Sequence, residues 1–199
     1  MIFEREGKQL TLEEFQKMTG ARWVPGLDFA DPSIIPEVTK AAIKLHKKGE
    51  MTLEQLWLGR YFQKEILSHH SPDVAIRWID TSLGWGVFAL RNFKKMEFIA
   101  EYSGKLIKRK KNDSKNAYAF EYVVVQGIDT PYTIDAQEQG GVARYINHSA
   151  TPNLNSSLAT LENVSHVILY TKEPVAKGAQ LCYDYGPDYW AKRTAPFPL

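Results

Sequence analysis

Apolar residues change their spacing near residue 73, and the change divides the chain into two kinds of structure. From residue 11 to residue 70 they recur every three or four positions, the period of helices with one face on a core. Thr11-Leu12-Glu13-Glu14 opens the first helix with a capping box between Thr11 and Glu14, and Gly20 closes it. A loop carrying Pro25, Gly26, Pro32 and Pro36 leads to a second helix over 37–48, with Val38, Ala41, Ala42 and Leu45 on one face and Gly49 after its end. Thr52 caps a third, predicted to run through Leu56, Tyr61, Phe62 and Leu67.

From Val74 the period drops to two. Val74, Ile76 and Trp78 alternate as a half-buried strand requires. After a turn at Gly84-Trp85-Gly86, further strands are predicted at 87–90, 97–102, 105–107, 118–126, 132–135, 155–161 and 164–171. Many short strands without intervening helices argue for small antiparallel sheets and against a parallel nucleotide-binding sheet. No segment repeats another. The expected class is mainly β (α+β), with a helical subdomain over 1–72, a β domain over 73–191 and a short tail over 192–199.

Composition narrows this picture. With 25 Lys+Arg against 23 Asp+Glu among 199 residues, overall charge does not point to a nucleic-acid coat. The single cysteine, Cys182, excludes an intramolecular disulfide and a thiolate zinc cluster. Glu4, Arg5, Glu6 and Lys8 interrupt the first ten residues, so no signal-peptide core lies there, and no apolar run is long enough for a membrane span. A soluble protein without membrane contact is expected. The charge balance fails only over 105–115, where Lys105, Lys108, Arg109, Lys110, Lys111 and Lys115 face one Asp113. This stretch is either a solvated connection or a contact for nucleic-acid phosphate or an acidic partner.

Two stretches fit neither period. Arg144-Tyr145-Ile146-Asn147-His148-Ser149 with Pro152-Asn153, and Leu181-Cys182-Tyr183-Asp184-Tyr185-Gly186, are dense in hydrogen-bonding and aromatic side chains that must be held from outside. Together with Gly84-Trp85-Gly86-Val87-Phe88-Ala89 and Glu101-Tyr102-Ser103-Gly104 they resemble, in order and spacing, the SET domain of lysine methyltransferases.

That resemblance implies small sheets with a knot-like crossing of the last two segments, S-adenosylmethionine as methyl donor and no metal. It places Tyr102, Tyr183 and Tyr185 around the reacting lysine. It places Gly84, Trp85, Gly86, Tyr118, Arg144, Asn147, His148 and Tyr185 at the cofactor, with Trp190, or Tyr189 in its stead, over the adenine. Asp135 and Arg144 would also brace the signature segment by charge-assisted hydrogen bonds. Ala150 stands where the family usually has cysteine, and no cysteine follows Cys182 to build a zinc-bound tail. In this the chain resembles compact viral and bacterial members, including those of intracellular bacteria that act on histones or histone-like proteins.

The expectation is therefore a lysine methyltransferase of a histone or histone-like protein, working in a bacterial cytoplasm or as an effector in a host nucleus. Because Tyr183 can hold a water in the space a methylated amine needs, mainly monomethylation is expected. A catalytically idle binding module of the same fold, and a nucleic-acid binder working through 105–115, remain as alternatives. A zinc hydrolase is disfavoured, since His69, His70 and His166 show no ligand spacing with His148.

Overall fold

The computed structural model describes residues 1–109, 116–125, 127–128, 130–191 and 193. The basic residues from Lys110 to Lys115, Gln126 at the end of one expected strand, and tail residues 192 and 194–199 lie outside the described residues.

The first 72 residues contain strands as well as helices. A hairpin of β1 (Ile2–Arg5) and β2 (Lys8–Leu10) precedes α1 (Leu12–Thr19). Two-residue strands, β3 (Arg22–Trp23) and β4 (Asp28–Phe29), lead to α2 (Ile34–Lys47), α3 (Leu53–Tyr61) and α4 (Gln63–Leu67). The capping box of Thr11 and Glu14 forms, and Gly20 ends α1 at φ 67°. Helix α2 starts three residues earlier than the apolar face suggests. Pro36 falls in its first turn, where the missing N–H costs no helical bond. The third predicted helix divides at Phe62, whose φ of −99° and ψ of 18° leave the helical region while its ring turns inward.

The β region continues with β5 (Val74–Asp80), β6 (Gly84–Ala89), β7 (Phe98–Glu101), β8 (Lys105–Lys108), β9 (Ala119–Glu121), β10 (Tyr132–Asp135) and β11 (Gln139–Gly140). After a 3-10 turn over Val142–Tyr145 come β12 (Asn147–His148), β13 (Leu154–Leu161), β14 (Val164–Thr171), β15 (Gln180–Tyr183) and the short helix α5 (Pro187–Trp190). Four sheets form among the described residues, ordered β12-β15-β6-β5-β1-β2, β4-β8-β10-β9, β11-β3 and β13-β14-β7.

The sheets are mixed rather than purely antiparallel. Three parallel pairings, β1 with β5, β3 with β11 and β4 with β8, dock the N-terminal strands onto the rest, and the fourth joins β12 to β15. Composition changes at residue 73; packing does not. One apolar core runs from Phe3 and Phe15 through Val87, Ile99 and Ile146 to Leu181 and Tyr183. A smaller one, of Leu58, Phe62, Ile66, Phe98, Ala159, Ile168 and Tyr170, lies beneath α3 and α4. Burying side chains such as Leu58, Phe62 and Ile66 stabilises by about 1.5–3 kcal/mol each, which outweighs helix propensity in placing α3.

Candidate active site

The pairing of β12 with β15 brings the two aperiodic stretches together. Asn147 lies opposite Cys182 and His148 opposite Tyr183 in a parallel register. Asn153 fastens them: its side-chain amide donates to the Gln180 carbonyl at 2.8 Å and its oxygen accepts the Cys182 N–H at 3.0 Å. The Ser149 N–H donates to the Tyr183 carbonyl at 3.2 Å. Such local side-chain bonds replace the ladder that a segment this short cannot complete.

Above this junction opens a cleft of about 750 Å³. Gly84, Trp85, Tyr102, Tyr118, Arg144, Asn147, His148, Tyr183, Tyr185 and Trp190 all line it. Gly86 stands one layer back. A Cβ there would lie 2.6 Å from Ile79 Cδ1 and 2.9 Å from Gln180 Nε2, so its bareness serves packing beneath the cleft. Gly84 instead sits at φ +71°, ending a turn in which Asp80 Oδ1 accepts the N–H groups of Ser82 and Leu83. Trp85 reaches the cleft while packing edge-on against Phe15 and Trp78, and its carbonyl accepts the Asn147 side-chain amide at 3.2 Å. It is at once a core and a wall residue.

The inner end of the cleft is aromatic. Tyr185 and Tyr183 stand with ring centroids 4.8 Å apart, and Tyr102 packs on Phe120 at 4.9 Å. The Tyr185 hydroxyl donates to the Ile146 carbonyl at 2.8 Å and the Tyr102 hydroxyl to the Tyr118 carbonyl at 3.0 Å. Their protons are thus committed to backbone, and what each oxygen still has for the cleft is acceptor lone pairs. Burial pushes all three hydroxyls well above the ordinary tyrosine range, so they stay neutral at any physiological pH.

The outer wall is built on α5. The Trp190 ring lies 6.0 Å from that of Tyr185, nearly parallel, and 4.9 Å edge-on from His148, whose Nδ1 accepts the Tyr185 N–H at 3.2 Å. Tyr189 is edge-on to Tyr185 at 4.7 Å. Trp190 Nε1 is buried without a hydrogen-bond partner, an unusual state for an indole N–H.

Arg144 bonds the carbonyls of Ala136 and Gln137 at 2.6 and 3.1 Å and lays its guanidinium over Tyr118 at 4.0 Å. Asp135 accepts from Asn116 and from the Gln137 N–H. Arg144 thus ties the segment directly to the 136–137 backbone, whereas Asp135, among the described residues, bonds Asn116 and its own turn and not the segment.

Sequence reasoning missed three contributors. Asn116 holds Asp135 and caps the Tyr118 N–H; Arg193 donates to the carbonyls of Asn116 and Tyr189; Phe120 backs Tyr102. None sits in a motif, although the alternation of 118, 120 and 122 marks Phe120 as inward. His69, His70 and His166 lie elsewhere, the last bonded to the buried Glu101 at 2.6 Å. No helix among the described residues is long and apolar enough to cross a membrane.

Comparison with known proteins agrees with this geometry. Residues 84–186, just over half of the chain, match the SET domain family. The histone-lysine N-methyltransferase Set8 of Drosophila pseudoobscura pseudoobscura is 32% identical over 149 residues, covering 70% of this chain and 21% of its own length. The N-lysine methyltransferase KMT5A-A of Xenopus laevis is 37% identical over 119 residues, 53% of this chain and 34% of its own. The chain thus spans between a fifth and a third of these relatives. Among solved structures, Arabidopsis thaliana SUVH6 in complex with SAM matches with a TM-score of 0.51 and 27% identity over 61% of this chain and 30% of that one. ATXR5 in complex with histone H3.1 mono-methylated on R26 matches with a TM-score of 0.65 over 89% of this chain and 86% of that one; at 20% identity, that likeness speaks for the fold.

Proposed function

The chain belongs to the SET-domain family, and from that premise we propose that it transfers a methyl group from S-adenosylmethionine to a lysine side chain of a histone or histone-like protein. The carrying observation is the convergence of three neutral tyrosines, Tyr102 and Tyr183 buried and Tyr185 partly so, at the inner end of a cleft whose outer wall is aromatic.

The residues present fit the cofactor. Trp190 and His148 line the cleft and offer aromatic surfaces on which an adenine would pack. Gly84, Trp85, Asn147 and Tyr118 would hold the remainder, with Arg144 beneath Tyr118 keeping that wall rigid. S-adenosylmethionine supplies a methyl carbon activated by its sulfonium, which departs as a neutral thioether with the bonding electron pair.

The chain's part is to present an amine with its lone pair free and aligned. A lysine entering past Phe120 loses water among Tyr102, Tyr183 and Tyr185, and burial favours its neutral form. Its proton leaves to solvent. The tyrosines do not take it, since burial keeps them protonated and neutral themselves. The oxygens of Tyr185 and Tyr102, their own protons held by carbonyls, accept the amine N–H bonds and so turn the nitrogen lone pair toward the methyl carbon. The same oxygens would also accept weak C–H···O contacts from the methyl group of a bound donor, a small term.

Tyr183 stands 4.8 Å from Tyr185 and narrows the space beside the amine, which supports mainly monomethylation. Incubation with labelled S-adenosylmethionine, core histones and bacterial histone-like proteins tests the reading: label on lysine, with a product 14 Da heavier per site, is expected. Cofactor binding without label transfer to any of these proteins would instead identify an idle module. A histone substrate would be met in a host nucleus and a histone-like one in a bacterial cytoplasm, and the two arms of the assay separate them.

A further inference from the structure

Behind Phe120 lies a second, smaller cavity that no motif announces. Its volume is about 250 Å³, below the roughly 300–1,000 Å³ of small-molecule sites and suited to a single long side chain. Phe120 lines both cavities and packs on Tyr102 at 4.9 Å, so this pocket adjoins the tyrosine-lined end of the cleft across the Phe120 ring.

Its floor comes from β13 (Ser156 to Leu158) and its outer wall from the first turn of α3. That wall is fixed. Gln55, buried in α3, donates to the Val124 carbonyl at 2.6 Å and to Thr160 Oγ1 at 2.7 Å. One turn on, Gly59 brings the helix backbone against Thr160, where a Cβ would overlap the Thr160 carbonyl. The pocket is therefore preformed. Glu54 is the one charged residue lining it, is exposed, and forms no ion pair among the described residues. The α3 N-terminus brings about half a positive charge, and a full carboxylate outweighs it, so the pocket favours a cation.

Resting on the lysine methyltransferase reading, we propose that this pocket is a specificity subsite: it seats a basic side chain, arginine or lysine, of the protein substrate two residues from the lysine being methylated, with Glu54 as the selecting group. The spacing follows from chain geometry. In an extended segment every second side chain points the same way, about 7 Å apart, which is the separation needed to straddle one aromatic ring.

The test uses the full chain with labelled S-adenosylmethionine and a peptide library that has one central lysine and randomised flanks, the labelled products being sequenced. Enrichment of arginine or lysine two residues from the acceptor is expected. Glu54→Gln should abolish it and Glu54→Lys should turn it toward aspartate and glutamate. On one arginine-bearing peptide, Glu54→Gln should raise KM about tenfold with kcat nearly unchanged, because the group binds substrate without touching the reacting atoms. Equal labelling of all flanks by the unmutated protein, or the same basic preference in Glu54→Lys, overturns the proposal. Transfer to no peptide overturns the methyltransferase reading, and this one with it. Unaltered melting temperatures for both variants will separate selection from misfolding.

Discussion

Tyr185 combines three properties in one side chain: it is largely enclosed by other aromatic rings, it stays neutral, and its proton is tied to the Ile146 carbonyl at 2.8 Å. In the proposed reaction, phenylalanine in its place removes the acceptor that orients the amine and one hydrogen bond to the Ile146 carbonyl, and leaves the packing against Trp190, Tyr189 and Tyr183 intact. Tyr185→Phe should therefore keep the fold and most of the cofactor affinity, at a stability cost of about 1 kcal/mol for the lost Ile146 bond, while lowering methyl transfer at least about tenfold, a barrier increase above about 1.4 kcal/mol. Single-turnover kinetics with saturating donor checks this. Tyr183→Phe is a different change, because it opens space beside the amine; mass spectrometry at long times should show di- and trimethyl-lysine in place of monomethyl-lysine. The pH profile follows from the same side chains. As no tyrosine acts as base, the rate should climb with pH as more of the substrate amine becomes neutral, and no falling limb from these tyrosines should appear below about pH 10, their unperturbed value. A bell centred near pH 7 would require a base that this reading does not contain.

At the scale of elements, two helices do different jobs. Helix α5 is short, ends at Trp190 and packs its Tyr189 and Trp190 chiefly on the cleft residues His148 and Tyr185. Trp190→Ala should weaken donor binding, measured by calorimetry, by about tenfold and shift the melting temperature of the free protein little. Helix α3 is part of the frame. Gly59→Ala forces it away from Thr160 and should cost about 2 kcal/mol or more by denaturant titration. The elements that could be read from the chain are those with a local cause. Thr11 and Glu14 announce α1 within four residues, and the alternation of Val74, Ile76 and Trp78 announces β5. Strands β3, β4 and β11 are two residues each, too short for any period, and exist because of partners far along the chain, as Arg22 does opposite Gln139. The same reason hid Glu54. Its meaning depends on Phe120 and Ser156, which adjoin it only in the fold, whereas the tyrosines and Asn147 were legible because the motifs holding them are compact in sequence.

For the whole molecule, the buried tyrosines set a boundary at alkaline pH. Tyr122 is pushed up to about 12 by burial, and Tyr102, Tyr183 and Tyr185 are raised as well. An unfolded tyrosine ionises near pH 10, so between that value and the folded ones the unfolded chain binds fewer protons than the native one, and stability falls as pH rises. Below about pH 10 this contribution is fully present. Melting temperature should accordingly be insensitive to these groups between pH 7 and 9 and fall steeply beyond about pH 10; loss of structure at pH 9 would need another cause.

The parallel docking of β3 on β11 and the late arrival of β15 also govern how the chain can be made. Arg22 and Gln139 are 117 residues apart, and at a ribosome speed of roughly 5–20 residues per second β3 waits on the order of 6–23 s for its partner. Throughout that interval Phe15 and Trp23 can pack on each other and on Phe3, but the faces they turn to Tyr145 have no cover. Local helices can form early, but the cofactor cleft cannot exist until β15 has followed β12 out of the exit tunnel. A chain still short of β15 is thus barred from binding donor or substrate at this cleft, because most of the contacts that build it are long-range in sequence.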